Sequence, residues 1–359
     1  MSIPRFHHVV LGVVATGWLL LAPPSTAARH LDAPERLTDA EFWTLSGDMS
    51  EPDGTFRSEN LSSNEMGFQT IIPDLKKLVR PGIYMGVGPE QNFTYIASLQ
   101  PKMAFITDIR RGNLNLHLMY KALFEMSADR ADFVGLLFSK KRPDGLSANS
   151  SVGEIFSKYD AAPVGTAEDH LAITARIVAH LTKSPHTLPL GADDLDGVRW
   201  VHDQFYAHGT GINYNSANGG GPGRMAAYES LMVTNDGAGV ERSYLANEEL
   251  FGFVKRLESR NLLVPVVGNF AGPKALRAVG RFIRERGETV QAFYLSNVED
   301  YLTGGLWSAF CNNVASLPLG ESSTFIYGAR AAGGGGFGGG LGSWYRPMAA
   351  EVKQFGCKP

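Results

Sequence analysis

Between positions 81 and 330 the chain alternates short, fully apolar runs with longer stretches whose apolar residues recur every three or four positions. Residues 83–87, 103–106 (closing on Asp108) and 262–267 have strand length, and their unbroken apolar character implies burial on both faces; 289–295 reads as a further strand. A last short strand is predicted over 324–327. Residues 92–99, 114–126, 247–260 and 274–286 carry helical spacing, with Leu114, Leu118 and Leu123 or Leu250, Val254 and Leu257 on one face. Strand and helix in this rhythm predict parallel pairing through right-handed crossovers. The fold class expected is α/β: a Rossmann-like, doubly wound, mainly parallel sheet.

The rhythm breaks over 139–223. Thr166 and Asp169 have the spacing of a capping box at the start of a helix running to 183. A second helix is predicted over 194–207, and a Gly/Asn loop closes the segment at 209–223. This reads as a helical insertion on one end of the sheet. Ahead of the sheet, 28–80 reads as helix and loop, with a helix start at Thr38 and a short helix over 68–79. The polar run from Arg57 to Glu65 is either a plain surface loop or a flap that folds over a pocket. Residues 331–359 read as a C-terminal tail, with its Gly-rich stretch, 331–342, predicted to be mobile.

At the N-terminus, Arg5, His7 and His8 precede an apolar run over 9–22, then Pro23–Pro24 and Ser25-Thr26-Ala27. That is the layout of a signal peptide over 1–27, too short to span a bilayer. It predicts an exported protein, periplasmic or secreted, with no stable membrane insertion after cleavage; a mis-assigned start would leave it cytoplasmic. Cys311 and Cys357 are either a disulfide closing the tail or two buried thiols. With 33 basic against 36 acidic residues and no basic stripe, nucleic acid is not an expected partner. A small-molecule ligand is.

Ligands of open α/β sheets bind beyond the carboxyl ends of the strands. Here those ends are 86–92, 108–111, 268–272 and 296–299, all polar or glycine-rich. Gly86 and Gly88 let backbone approach a ligand, and helix amides follow. Asp108 lies at the tip of the second strand, 22 residues after Gly86, where a carboxylate can accept two ribose hydroxyls. Gly86, Gly88, Glu90, Asn92, Asp108, Arg110 and Asn269 are therefore the candidate cofactor-binding residues, and Asn297 and Glu299 the candidate catalytic ones. No metal site is expected: His202 and His208, six apart, do not share a helical face, the alternative being a loop site with Asp203, and His117 reads as a hydrogen-bonded core residue. No Gly-x-Ser-x-Gly elbow or Walker loop occurs.

The first turn with its strand-terminal acid resembles the cofactor half of class I S-adenosylmethionine-dependent methyltransferases, over about 83–111. The resemblance implies S-adenosylmethionine as cofactor, held by the glycine turn and Asp108. Glu90 within the turn would repel a pyrophosphate but tolerate a sulfonium, which favours S-adenosylmethionine over NAD or FAD. Over about 37–330 the chain is also similar to an uncharacterised family of bacterial hypothetical proteins, through Gly86-Val87-Gly88-Pro89-Glu90-Gln91-Asn92, Asp108-Ile109-Arg110-Arg111, Asn269-Phe270-Ala271-Gly272-Pro273 and Ser296-Asn297-Val298-Glu299. S-adenosylmethionine is a cytoplasmic metabolite, so export and methyl transfer conflict. Two alternatives follow: an exported small-molecule-binding protein or pseudo-enzyme on the same fold, and an exported hydrolase using Glu299, Asp300 or Asp236.

Overall fold

The computed structural model describes residues 1–2, 32–219, 225–330 and 341–359. The apolar run and cleavage pattern of the predicted signal peptide lie outside the described residues, as do parts of the two glycine-rich segments.

Six strands form one sheet in the order β3-β2-β1-β4-β5-β6. They are β1 (Ile83–Gly86), β2 (Met103–Asp108), β3 (Leu263–Val267), β4 (Val290–Ser296), β5 (Leu319–Arg330) and β6 (Leu341–Pro347). All neighbours pair in parallel except β5 and β6. The apolar runs thus become the strands they predict, and the Rossmann-like α/β architecture holds. β1, β2 and β3 are buried throughout, as their lack of alternation requires. Gly86 lies opposite Ile106 and Asp108 opposite Val267, so the carboxyl ends form one rim. Strand order reverses between β1 and β4, which makes that stretch of rim the topological switch point.

Two helices precede the sheet: α1 (Asp39–Met49) and α2 (Ile72–Leu78). Thr38 starts α1 through a capping box. Its hydroxyl accepts from the Glu41 amide, and the Glu41 carboxylate accepts from the Thr38 amide at 2.8 Å. The crossover from β1 is α3 (Gln91–Leu99), every residue of which is buried. After β2 come α4 (Arg111–Met126) and α5 (Arg130–Leu137), then the insertion with α6 (Val152–Ala161), α7 (Ala167–Thr182), α8 (Ala192–His208) and α9 (Tyr228–Val233). The chain returns through α10 (Glu248–Ser259) to β3, then α11 (Ala275–Glu285), β4, α12 (Gly305–Ala315) and β5. Phe93 of α3 sits edge-on among His117, Tyr120, Phe124 and Tyr244, with ring centroids 5.1–5.6 Å away. This aromatic cluster joins α3 to α4.

Of the stretch predicted to be mobile, 331–340 lie outside the described residues. Residues beyond the glycine run are no loose tail: β6 pairs antiparallel with β5, and α13 (Met348–Phe355) packs behind it. Leu319 also begins β5 five residues before the predicted strand. Cys311 of α12 and Cys357 form a disulfide, Cα–Cα 5.2 Å, which pins this end and decides between the two states left open for the cysteines. Among the described residues, no helix is long and apolar enough to cross a membrane.

Candidate functional site

The turn after β1 brings the first candidates together, but each side chain has a local task. A Cβ on Gly86 would lie 1.9 Å from the Asn92 Oδ1, so that glycine makes room for Asn92. Asn92 accepts from the Tyr84 hydroxyl at 2.9 Å and donates to the carbonyls of Val87 and Pro89, both at 2.8 Å. It therefore builds the turn. Gly88 has φ +74°, a conformation that favours glycine, and among the described residues a Cβ there would meet only Asn60, at 3.8 Å.

Glu90 does not face a pocket for a sulfonium. It is fully buried, accepting from the Ser63 amide at 3.1 Å and from the Ser62 hydroxyl. Burial pushes its pKa up to about 7, against these hydrogen bonds. Asp108 is held by Arg110: its Oδ1 accepts the Arg110 amide at 2.9 Å, and both oxygens meet the guanidinium at 3.2 Å. Arg110, itself buried, reaches on to Glu59 at 2.9 Å. The carboxylate expected to hold a ribose is thus internally paired.

These contacts come from one stretch. The polar run of 57–65 lies along the carboxyl rim as a strap, touching it through Glu59, Ser63 and Glu65. At its end Glu65, fully buried, accepts from Gln91 at 2.8 Å, Tyr294 at 2.9 Å, Ser296 at 2.6 Å and Ser343 at 3.1 Å. Burial still leaves its pKa raised. Glu65 was not among the predicted site residues. Its position closing the polar run was the only available signal, because its partners come from α3, β4 and β6.

At the turn after β3, Asn269 closes a local turn by accepting from the Ala271 amide at 2.9 Å. Glu51 accepts from the amides of Asn269, Lys274 and Ala275 at 2.8–3.0 Å, so a carboxylate of this chain sits at the start of α11. After β4, Asn297 donates to Asp300 at 3.3 Å on the same rim as Gly88. Glu299 is partly buried, and burial together with the nearby charge of Glu351 pushes its pKa up to about 7.

Around Gly88 the accounting fails to close. Burial lowers the pKa of His117 to about 4, so the ring is neutral. Its Nε2 donates to the Gly88 carbonyl at 2.9 Å, leaving Nδ1 as a bare acceptor. His117 Nδ1, Asn60 Oδ1 and Asn113 Oδ1 are buried and find no hydrogen-bond partner among the described residues. Asn113 lies one helical turn before His117 on α4, and Asn60 borders Gly88. Asn60 and His117 thus set two of these acceptors beside the first turn, and Asn113 stands one helical turn earlier on the same helix as His117.

The insertion carries a hydrogen-bonded Ser–His–Asp array. Ser139 (φ +52°) contacts His170 Nδ1 at 2.9 Å, and His170 Nε2 contacts Asp203 at 2.7 Å. Its exposure is the reverse of a nucleophile's: Ser139 is 1% exposed, whereas the Asp203 side chain is 55% exposed. His202 is used beside it, by Thr174 at 2.7 Å and the Leu136 carbonyl at 3.1 Å. The array fastens α7 and α8 to the end of α5.

The fold and rim define a Rossmann-like α/β protein with a strapped carboxyl edge. Within that class the chain belongs to the family described as a domain of unknown function, DUF7790, whose model matches residues 61–148 and 213–333. The match takes in β1 to β5 and passes over most of the helical insertion. No curated protein matches the chain.

Proposed function

We propose that this protein binds a small polar ligand, rich in hydrogen-bond donors, at the Gly86–Asn92 turn beneath the 57–65 strap. The observation that carries this reading is the set of unpartnered buried acceptors, Asn60, Asn113 and His117, at the switch point of the sheet. Nucleosides and S-adenosylmethionine, with hydroxyl and ammonium donors, are the first ligands to try. The disulfide supports an exported protein, and so favours a binding protein or pseudo-enzyme over a methyltransferase.

The methyltransferase form of the proposal makes a sharper demand. Asp108 must exchange Arg110 for two ribose hydroxyls. Thermal-shift and calorimetric titration with S-adenosylmethionine, S-adenosylhomocysteine, NAD and adenosine test it, with Asp108→Ala alongside. Loss of affinity by roughly 10–150-fold in the variant supports ribose recognition. An unchanged affinity removes Asp108 from the site while leaving the broader ligand reading open to the Asn113 test below.

A hydrolase on the same rim is a second reading, favoured by Glu299, whose raised pKa keeps a proton available near neutrality. Chromogenic ester and glycoside substrates at pH 5–8 test it; no turnover, or turnover unchanged in Glu299→Gln, rejects it.

A further inference from the structure

Away from the carboxyl rim, α1, α4 and the end of α7 meet at a cluster of charged side chains. Glu125, near the end of α4, is contacted through one oxygen by two rings: His180 Nε2 at 2.7 Å and His186 Nε2 at 2.6 Å. Its other oxygen takes the ammonium of buried Lys121 at 2.7 Å. His186 also meets Asp39 through Nδ1, at 2.6 Å. Asp39 accepts in addition from the Thr187 amide at 2.8 Å and from Asn261 at 3.1 Å.

The protons do not suffice for a neutral His186. A neutral imidazole has one N–H. Asp39 can only accept, so that hydrogen is on Nδ1, and Nε2 then turns a lone pair toward a carboxylate oxygen. Something positive must lie between them: a second proton on the ring, or a metal ion. Three features favour the metal. Donor atoms of Glu125, His180 and His186 all lie within 4.8 Å of one another. Each of two ligands is oriented from behind, His186 by Asp39 and Glu125 by Lys121, the outer-shell pattern that metal ligands show. His180 keeps 13% side-chain exposure, enough for an entry path and a water in the fourth position.

We propose that Glu125, His180 and His186 bind one divalent transition-metal ion of the zinc class, with Glu125 monodentate. Zinc bonds of about 2.0–2.1 Å set tetrahedral donors roughly 3.3 Å apart, so the two histidine–Glu125 contacts lengthen by roughly 0.6–0.7 Å on binding. The ion joins α4 of the family core to the segment 149–212, which the family model passes over. Its role is to staple the insertion, and also α1 through Asp39, to the sheet domain. Both cysteines are in the disulfide, so no thiolate competes for the metal.

The test is metal binding by the tag-free full chain at pH 7.5, by competition with a chromophoric chelator, and cobalt(II) absorption as a second readout. The proposal expects one zinc per chain, a visible cobalt band of tetrahedral intensity, and a higher melting temperature with zinc. His180→Ala and His186→Ala weaken binding at least about 100-fold, and Asp39→Asn by about 10–100-fold. A wild-type chain that takes up neither metal at micromolar concentration overturns the proposal and leaves a doubly protonated His186 in its place. Equal affinity in folded His180→Ala overturns it too. Should the alanine variants not fold, the wild-type stoichiometry and Asp39→Asn decide.

Discussion

The turns after β1 and β3 share a plan: an apolar strand, a glycine-rich turn and a helix, both on the carboxyl rim of one sheet. After β3, the amides at the start of α11 close on Glu51, so the chain supplies its own anion where a phosphate or carboxylate would dock. After β1, Asn92 and His117 satisfy the turn's carbonyls, yet among the described residues the acceptors of Asn60, His117 and nearby Asn113 on α4 have no partner. One turn is finished by the protein; under the proposed function the other is open to donors from a ligand. A glycine-rich turn is therefore not by itself a ligand site. The difference lies in which polar atoms remain unpaired once the N-terminal segment is in place.

Glu51 provides the largest expected effect on this contrast. Glu51→Ala strips three amides of their acceptor and should destabilise the fold by about 2–3 kcal/mol in chemical denaturation, without touching ligand binding at β1. A loss below about 0.5 kcal/mol would show that water replaces the carboxylate and that the β3 turn is as open as the other.

Glu90 comes next. Its folded pKa of about 7 stands above the ordinary 4.5, so the stability it contributes is present when it is protonated and is lost as pH rises through 7. The wild type should lose roughly 2 kcal/mol between pH 5 and 8 that Glu90→Gln does not lose. Parallel pH profiles of the two proteins would contradict the buried placement under Ser62 and Ser63. The smallest effect belongs to Glu59→Gln, which removes a partly exposed partner of Arg110 and should cost under about 1 kcal/mol. A larger loss would mean that Glu59, rather than Ser63 and Glu65, anchors the strap.

Much of the fold was legible because unbroken apolar runs can hardly be anything but buried strands, and Thr38 and Thr166 announce their helices through capping boxes. α12 was missed because Gly305-Leu306-Trp307 offers no cap and little periodicity, and β6 because a glycine run separates it from its partner. At the site, the positions around Gly88 and the strap were readable from local chemistry. Their roles were not. Gly86 is a glycine because of Asn92, and Asp108 is occupied by Arg110, two residues on. The carboxylates that decide the rim, Glu51 and Glu65, reach it from 26 to 278 residues away along the chain. His180 and His186 likewise gain meaning only from Glu125 and Asp39.

The central claim is that the unpaired acceptors around Gly88 serve a ligand, and Asn113 tests it most directly. Asn113→Leu removes a buried acceptor that has no partner among the described residues. Calorimetric titration of wild type and variant with S-adenosylmethionine, S-adenosylhomocysteine and adenosine, with a melt of each unliganded protein, reads both consequences. The account predicts that the wild type binds at least one of these ligands, and that Asn113→Leu loses about tenfold or more in affinity while melting at the same temperature or higher. A variant that melts lower and binds as the wild type does, or a wild type that binds none of them, would contradict it.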